Sequence, residues 1–111
     1  MSILELLEIK HPIFLAPMAG VSTPELTAEV SNQGALGALG LGANTPDSAK
    51  AQILHTQALT EQPFQVNFFC HQPEQLNPET AQQWIEYRRP QFAKFGAEPP
   101  SELRCIYPSF L

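Results

Sequence analysis

The chain has few residues of several kinds, and each shortage excludes a class of protein. Its 111 residues include only two cysteines, Cys70 and Cys105, which are too few and too far apart for a disulfide framework or a zinc site. Lysine and arginine number six against eleven acidic residues, so the formal charge is −5 and no basic cluster exists beyond Arg88 and Arg89. Binding to nucleic acid therefore has little support.

Long hydrophobic runs are also missing. The longest apolar stretches, such as residues 13–16 and 35–41, are far shorter than the roughly 20 residues that a membrane span needs. The first residues include Glu5 and Glu8 and lack a basic segment followed by a long apolar core, so we expect no secretory signal. Together with the low cysteine content, these features predict a cytoplasmic protein that has no membrane partner.

Proline, in contrast, is frequent, and three prolines mark helix starts. A capping side chain, a proline and an acid follow one another at residues 23–25, 45–47 and 77–79. The capping oxygen accepts hydrogen bonds from free backbone N–H groups, proline suits the first helical position, and the acid faces the positive helix end. The predicted helices cover about residues 24–33, 46–59 and 78–89. The first eight residues predict a further short turn of amphipathic helix.

Apolar runs between these helices predict strands at about residues 13–18, 36–41 and 64–69. The first run is almost continuously apolar, as in a parallel strand that is buried on both faces. Gly37 and Gly40 in the second run indicate tight packing of helix on sheet or the close approach of a ligand. Strands that alternate with helices predict a parallel sheet with right-handed crossovers, and thus an α/β fold.

The composition changes after residue 70. Residues 71–111 are rich in glutamine, proline and glutamate and contain one predicted helix. This segment is too long for an ordinary connection between a strand and a helix. Two interpretations remain open: an elaborated loop above an active-site face, or a poorly ordered tail of a truncated chain.

Several segments resemble the nitronate monooxygenase family, formerly called the 2-nitropropane dioxygenases. They are Ile13–Gly20 (IFLAPMAG), Gly34–Gly42 (GALGALGLG), Gln65–Phe69 (QVNFF) and the Tyr107-Pro108-Ser109-Phe110 segment. Family members are complete (β/α)₈ TIM barrels, and the resemblance covers only the N-terminal part of one. It implies that residues 1–70 are the first three βα units of an FMN-binding barrel. Residues 71–111 would then be the insertion after the third strand, in a truncated chain.

The resemblance also implies a function. Family members bind FMN without covalent attachment and oxidise alkyl nitronates with O₂, so it implies a flavoprotein oxidoreductase with a small-molecule substrate. Ala16, Pro17 and Met18 match the strand-end segment that lies against the isoalloxazine ring, and Asn67 matches the FMN-binding asparagine of the third strand. A strand-end amide offers both a donor and an acceptor to the polar edge of the ring.

No catalytic or metal-binding residue is assigned in this chain. The catalytic histidine of the family lies downstream, and His11, His55 and His71 do not match it. The 111-residue chain by itself is therefore expected to be inactive. Two alternatives remain: a non-catalytic truncated fragment, or a related flavin barrel such as an enoyl-acyl-carrier-protein reductase. The sequence does not predict an oligomeric state.

Overall fold

The computed structural model describes residues 1–72, 75–104 and 109–110. In chain order, the helices and strands are α1 (Ile3–Leu7), α2 (Pro24–Asn32), β1 (Gly37–Gly40), α3 (Pro46–Leu59), β2 (Phe64–Asn67) and α4 (Pro78–Lys94). The chain divides into two compact units. The first comprises residues 1–71 with Ser109 and Phe110, and the second comprises the described residues from Gln72 to Arg104.

The structure confirms all three predicted helix starts. Thr23, Thr45 and Asn77 are the N-cap residues of α2, α3 and α4, and each is followed by proline and an acid in the first turn. The Thr23 hydroxyl, for example, accepts a hydrogen bond from the backbone N–H of Leu26 at 3.2 Å. Caps of this kind contribute about 1 kcal/mol each, which explains why the first helical residue was predictable.

The sheet of the first unit is parallel, as the sequence predicts. β1 pairs with β2 so that Gly37 lies opposite Phe64 and Gly40 lies opposite Asn67. Both strands are shorter than predicted. The hydrophobic core lies at β1 and α3, where Leu39, Leu41 and Ala49 are buried; Ile53, Phe64 and Phe68 pack against them.

The prediction of a first strand over residues 13–18 is wrong in extent. Phe14 forms a single parallel bridge with Leu36, and the backbone of Leu36 is hydrogen-bonded to Ile13 and Leu15 at 3.0 and 2.9 Å. Pro17 has no N–H group to donate to a ladder, so pairing cannot continue past it. The predicted three strands are therefore two strands and one bridged segment beside β1.

Helix α2 lies close to the sheet because Gly37 has no side chain. A Cβ atom at this position would overlap the carbonyl oxygen of Thr27. The Thr27 hydroxyl donates to the Ala38 carbonyl at 2.7 Å. The Ser31 hydroxyl donates to the Pro63 carbonyl at 2.9 Å and accepts from the Gly37 N–H at 3.1 Å. Gly37 therefore serves the packing of helix on sheet, one of its two predicted roles.

In the second unit, α4 is longer than predicted because it continues through Pro90 to Lys94. Proline in a helix removes one hydrogen bond of the backbone ladder, here the one to Glu86, and this loss does not stop the helix. The stop comes instead at Phe95, followed by Gly96 with a φ of 64°. Positive φ after the last turn is the usual glycine termination. Cys105, Tyr107 and Pro108 lie outside the described residues.

Candidate functional site

A groove of about 370 Å³ opens at the carboxyl ends of β1 and β2. This volume lies in the range of small-molecule pockets. In parallel α/β sheets, ligands bind beyond the carboxyl ends of the strands, which is where this groove lies. The lining residues are Pro17, Ala19, Gly40, Gly42, Ala43, Asn67 and Phe69.

Among the described residues that line the groove, Asn67 is the one with a polar side chain. Its backbone carbonyl accepts a hydrogen bond from the N–H of Leu41 at 2.9 Å, which fixes the end of β2 against β1. Its side chain is exposed, and within residues 1–72, 75–104 and 109–110 the amide has no hydrogen-bond partner. An amide of this kind can donate two hydrogen bonds and accept two, so it suits the polar edge of a ligand.

The predicted cofactor segment Ala16–Met18 leads into a turn at residues 19–21 and is held by Ser22. The Ser22 hydroxyl donates to the carbonyl of Ala16 at 2.9 Å and accepts from the N–H of Met18 at 2.8 Å. Ser22 is only 5% exposed. Pro17, between the two bonded residues, lines the groove. The segment is thus fixed through its main chain, and its side chains remain exposed.

Two glycines give the groove its shape. A Cβ atom on Gly40 would lie 3.0 Å from the main chain of Met18 and Ala19, so the missing side chain lets the turn approach β1. A Cβ atom on Gly42 would lie 2.8 Å from the ring of Phe69. Both positions are tighter than ordinary van der Waals contact allows. The missing side chains of Gly40 and Gly42 therefore let the main chain of Met18 and Ala19 and the ring of Phe69 lie close to the end of β1.

The described part of the Tyr107–Phe110 motif lies beside the end of β2. The backbone N–H of Phe110 donates to the carbonyl of Phe69 at 3.0 Å. The ring of Phe110 lies 4.5 Å from that of Phe68, centroid to centroid. The Ser109 hydroxyl donates to the carbonyl of His71. These contacts attach Ser109 and Phe110 to the residues that follow β2, next to the groove residue Phe69.

Among the residues that the structure describes, the groove lining carries no ionisable side chain. In the first unit, the carboxyl group of Glu25 at the start of α2 has a pKa below its ordinary value. Its pKa is lowered first by a backbone hydrogen bond at the helix start, then by the Thr23 hydroxyl and by His55. The His55 Nε2 lies 3.7 Å from Glu25 Oε1. The lining thus offers hydrogen bonds and apolar contact but no group for proton transfer.

No three or more His, Cys, Asp or Glu side chains of the described residues come together as a metal site would require. Nor does the described part of the chain contain a helix that is long and apolar enough to cross a membrane.

The structure brings two of the four predicted cofactor residues into one groove. Pro17 and Asn67 both line it, whereas Ala16 and Met18 flank Pro17 and bond to Ser22. Sequence reasoning singled out Gly40 for a close approach, but it missed Ser22, which does not line the groove, and the lining residues Ala19, Ala43 and Phe69. One signal was available for Ser22: the helix needs only Thr23 as its cap, so the preceding hydroxyl was free for another role.

Fold and groove together define an α/β protein whose candidate ligand site lies at the carboxyl ends of parallel strands. The family model described as nitronate monooxygenase matches residues 2–99. The chain belongs to the nitronate monooxygenase family.

Curated relatives agree with this membership. A nitronate monooxygenase of Paraburkholderia phytofirmans is 52% identical over 110 residues, and one of Pseudomonas aeruginosa is 49% identical over 106 residues. The matches cover 99% and 96% of this chain but 30% of each relative. The chain thus spans about 30% of the length of these relatives.

Solved structures give the same picture for the fold. A nitroalkane oxidase from Streptomyces ansochromogenes is 37% identical and superposes with a TM-score of 0.70, covering 87% of this chain and 27% of that protein. FabK from Thermotoga maritima is 35% identical with a TM-score of 0.60, covering 80% of this chain and 27% of that protein. The α/β arrangement therefore recurs as part of larger proteins.

Proposed function

We propose that this chain supplies the opening part of a (β/α)₈ barrel that binds FMN and oxidises alkyl nitronates with O₂. Residues 1–70 would be its first three βα units, and residues 71–111 the insertion that follows. The observation that supports this most directly is the exposed amide of Asn67, which has no partner in the described chain and lies in the same groove as Pro17.

The groove fits the ring system of a flavin. Its wall is apolar apart from Asn67, as expected for a flat aromatic ligand that carries hydrogen-bonding groups along one edge. The Asn67 amide can both donate to and accept from such an edge. Pro17 would lie against the ring, and Ala16 and Met18 would hold Pro17 in place through the turn. The described wall carries no charge, which suits the flavin ring better than the phosphate of FMN. We expect hydrogen-bond donors to that phosphate to lie elsewhere.

FMN, when bound, would supply the electron acceptor for the nitronate and the donor for O₂. The residues of this chain would contribute binding and orientation. Asn67 would fix the ring edge, and the apolar wall would exclude water from the ring face. None of the described lining residues has a side chain that can remove a proton at neutral pH. We therefore assign the acid–base step to a residue outside this chain.

The test uses the protein expressed from the complete reading frame that contains these residues, here called the complete polypeptide. We expect it to retain FMN after gel filtration, with the visible absorbance of a flavin, and to consume O₂ when an alkyl nitronate is added. The same preparation stripped of flavin is the control.

Three other results would contradict the proposal. Loss of all flavin during purification, with no rebinding of added FMN, would favour a non-catalytic chain. Bound flavin that oxidises NADPH or NADH but not a nitronate would favour the related reductase chemistry. Bound flavin with O₂ uptake that is equal with and without a nitronate would remove the substrate assignment.

A further inference from the structure

We propose that Ser22 is a positioning residue for the flavin site and acts through the main chain of Ala16–Met18. This inference rests on the proposed function. Ser22 does not line the groove, so it would not touch the ring. Its role would be to fix the peptide groups on both sides of Pro17.

Four hydrogen bonds carry the argument. The Ser22 hydroxyl donates to the carbonyl of Ala16 and accepts from the N–H of Met18, at 2.9 and 2.8 Å. The carbonyl of Met18 accepts from the backbone N–H groups of Ser22 at 2.8 Å and Val21 at 3.1 Å. The Met18 residue is thus bonded at both its N–H and its carbonyl. Pro17 lies between two fixed points and cannot move away from the groove independently.

The same bonds decide which main-chain groups remain for a ligand. The carbonyl of Ala16 and the N–H of Met18 are already used by Ser22. The carbonyl of Pro17 has no hydrogen-bond partner among the described residues. Since proline has no N–H, this carbonyl is the one polar main-chain group that Pro17 can offer.

Removal of the Ser22 hydroxyl would leave two part-buried main-chain groups without this hydrogen-bond partner. Alanine at this site leaves the Met18 N–H without its acceptor and the Ala16 carbonyl without its donor. Polar groups that water reaches only in part are costly to leave unpaired, so we expect the turn to relax toward solvent to recover hydrogen bonds. Pro17 would then lose its position in the wall.

Ser31 provides a matched control. Its hydroxyl also donates to a carbonyl, that of Pro63, and accepts from a backbone N–H, that of Gly37. It is 1% exposed. Gly37 and Pro63 lie at the amino ends of β1 and β2, opposite to the groove. Ser31→Ala therefore removes the same chemistry from the other end of the same sheet.

The experiment compares Ser22→Ala, Ser22→Thr and Ser31→Ala in the complete polypeptide. For each, the Kd of FMN, the visible circular dichroism of bound FMN and the urea midpoint are measured. We expect Ser22→Ala to raise the Kd about ten-fold, the effect of losing about one well-placed contact. We expect Ser22→Thr, which keeps the hydroxyl, and Ser31→Ala to stay within about two-fold of the unsubstituted protein.

A common loss of stability would not by itself decide the question, because both alanine variants are expected to lower the urea midpoint. The inference is wrong if Ser22→Ala binds FMN as tightly as the unsubstituted protein, or if Ser31→Ala weakens binding equally. If Ser22→Ala does not fold, Ser22→Cys, which keeps the size but bonds weakly, takes its place in the same comparison. If the unsubstituted protein binds no FMN at all, the proposed function fails together with this inference.

Discussion

The polar side chains of Ser22, beside the groove, and Asn67, in its lining, differ in how they are hydrogen-bonded. Ser22 is buried and spends both hydrogen-bonding functions of its hydroxyl on the turn. Asn67 is exposed, and its amide bonds to no described residue. A side chain that makes no contact within the fold can be changed with little effect on stability. A substitution of Asn67 therefore tests ligand binding without a large change in the free energy of unfolding.

For Asn67→Ala, we expect the Kd of FMN to rise about five-fold, because a charge-neutral hydrogen bond to a ligand contributes about 1 kcal/mol. The free energy of unfolding should change by less than about 0.5 kcal/mol, as for other exposed sites. Flavin titration and urea unfolding of the complete polypeptide measure the two quantities. Gln57→Ala, an exposed amide on α3, is the control and should change neither. Equal FMN binding by Asn67→Ala would remove Asn67 from the site.

Among the elements, α2 is attached to the sheet through two buried hydroxyl groups. Thr27 and Ser31 are almost fully buried, and both donate to carbonyls outside the helix. Gly37 allows the approach that these short bonds require. The position of α2 relative to β1 therefore depends on a few specific hydrogen bonds.

Thr27→Val tests this dependence while keeping the shape of the side chain. The Ala38 carbonyl loses its donor in a buried position, which should cost about 1–3 kcal/mol of the free energy of unfolding. Thr56→Val is the control: Thr56 is equally buried, but its hydroxyl donates within α3 to the carbonyl of Gln52. That carbonyl also belongs to the helix ladder, so the loss should be smaller. Urea unfolding measures the stability of both variants. A larger loss in Thr56→Val than in Thr27→Val would contradict this expectation.

The start of α2 should also respond to acid. The pKa of Glu25 is lowered in the folded state, first by the backbone hydrogen bond at the helix start. A lowered folded pKa means that the carboxylate stabilises the fold above the ordinary pKa, and this contribution is lost as the pH falls through the folded value. The loss should therefore occur below a pH of about 4.5.

Glu25→Gln should lose less stability between pH 5 and pH 3 than the unsubstituted protein, over roughly the interval in which carboxylates titrate. Urea midpoints at several pH values measure this difference. Glu29→Gln, in the middle of the same helix, is the control and should keep the acid response. Parallel midpoint curves for Glu25→Gln and the unsubstituted protein would show that the carboxylate contributes nothing to folding.

The first unit as a whole exposes apolar surface at both edges of a narrow sheet. β2 pairs with β1 only, and the Phe14 segment pairs with Leu36 only, within the residues that the structure describes. Phe14 and Val66 are 48% and 40% exposed. Unpaired strand edges with apolar side chains favour pairing with other chains.

The isolated 111-residue chain should therefore associate or aggregate and should unfold in urea without a single cooperative transition. Sedimentation velocity at several concentrations measures the association. Val66→Lys places a charge on the β2 edge and should lower the aggregated fraction. A stable monomer with one cooperative transition would contradict the expectation.

Local chemistry made much of the fold predictable. The helix starts at Thr23, Thr45 and Asn77 depend on residues that are adjacent in sequence, so the pattern alone located them. Pro90 shows the limit of such reasoning. A proline usually ends a helix, but α4 continues through Pro90 to Lys94 although one backbone hydrogen bond is missing.

The sequence by itself determined the family, the alternation of helices and strands, and the helix starts, because these depend on local residue patterns. Only the tertiary structure decided that the first strand is a single bridge and that Pro17 and Asn67 share a groove. Those facts depend on contacts between residues up to about 50 positions apart in the chain, as in the bond from Gln65 to the carbonyl of Leu15. Such contacts form only when the strands and helices pack, so no local pattern specifies them.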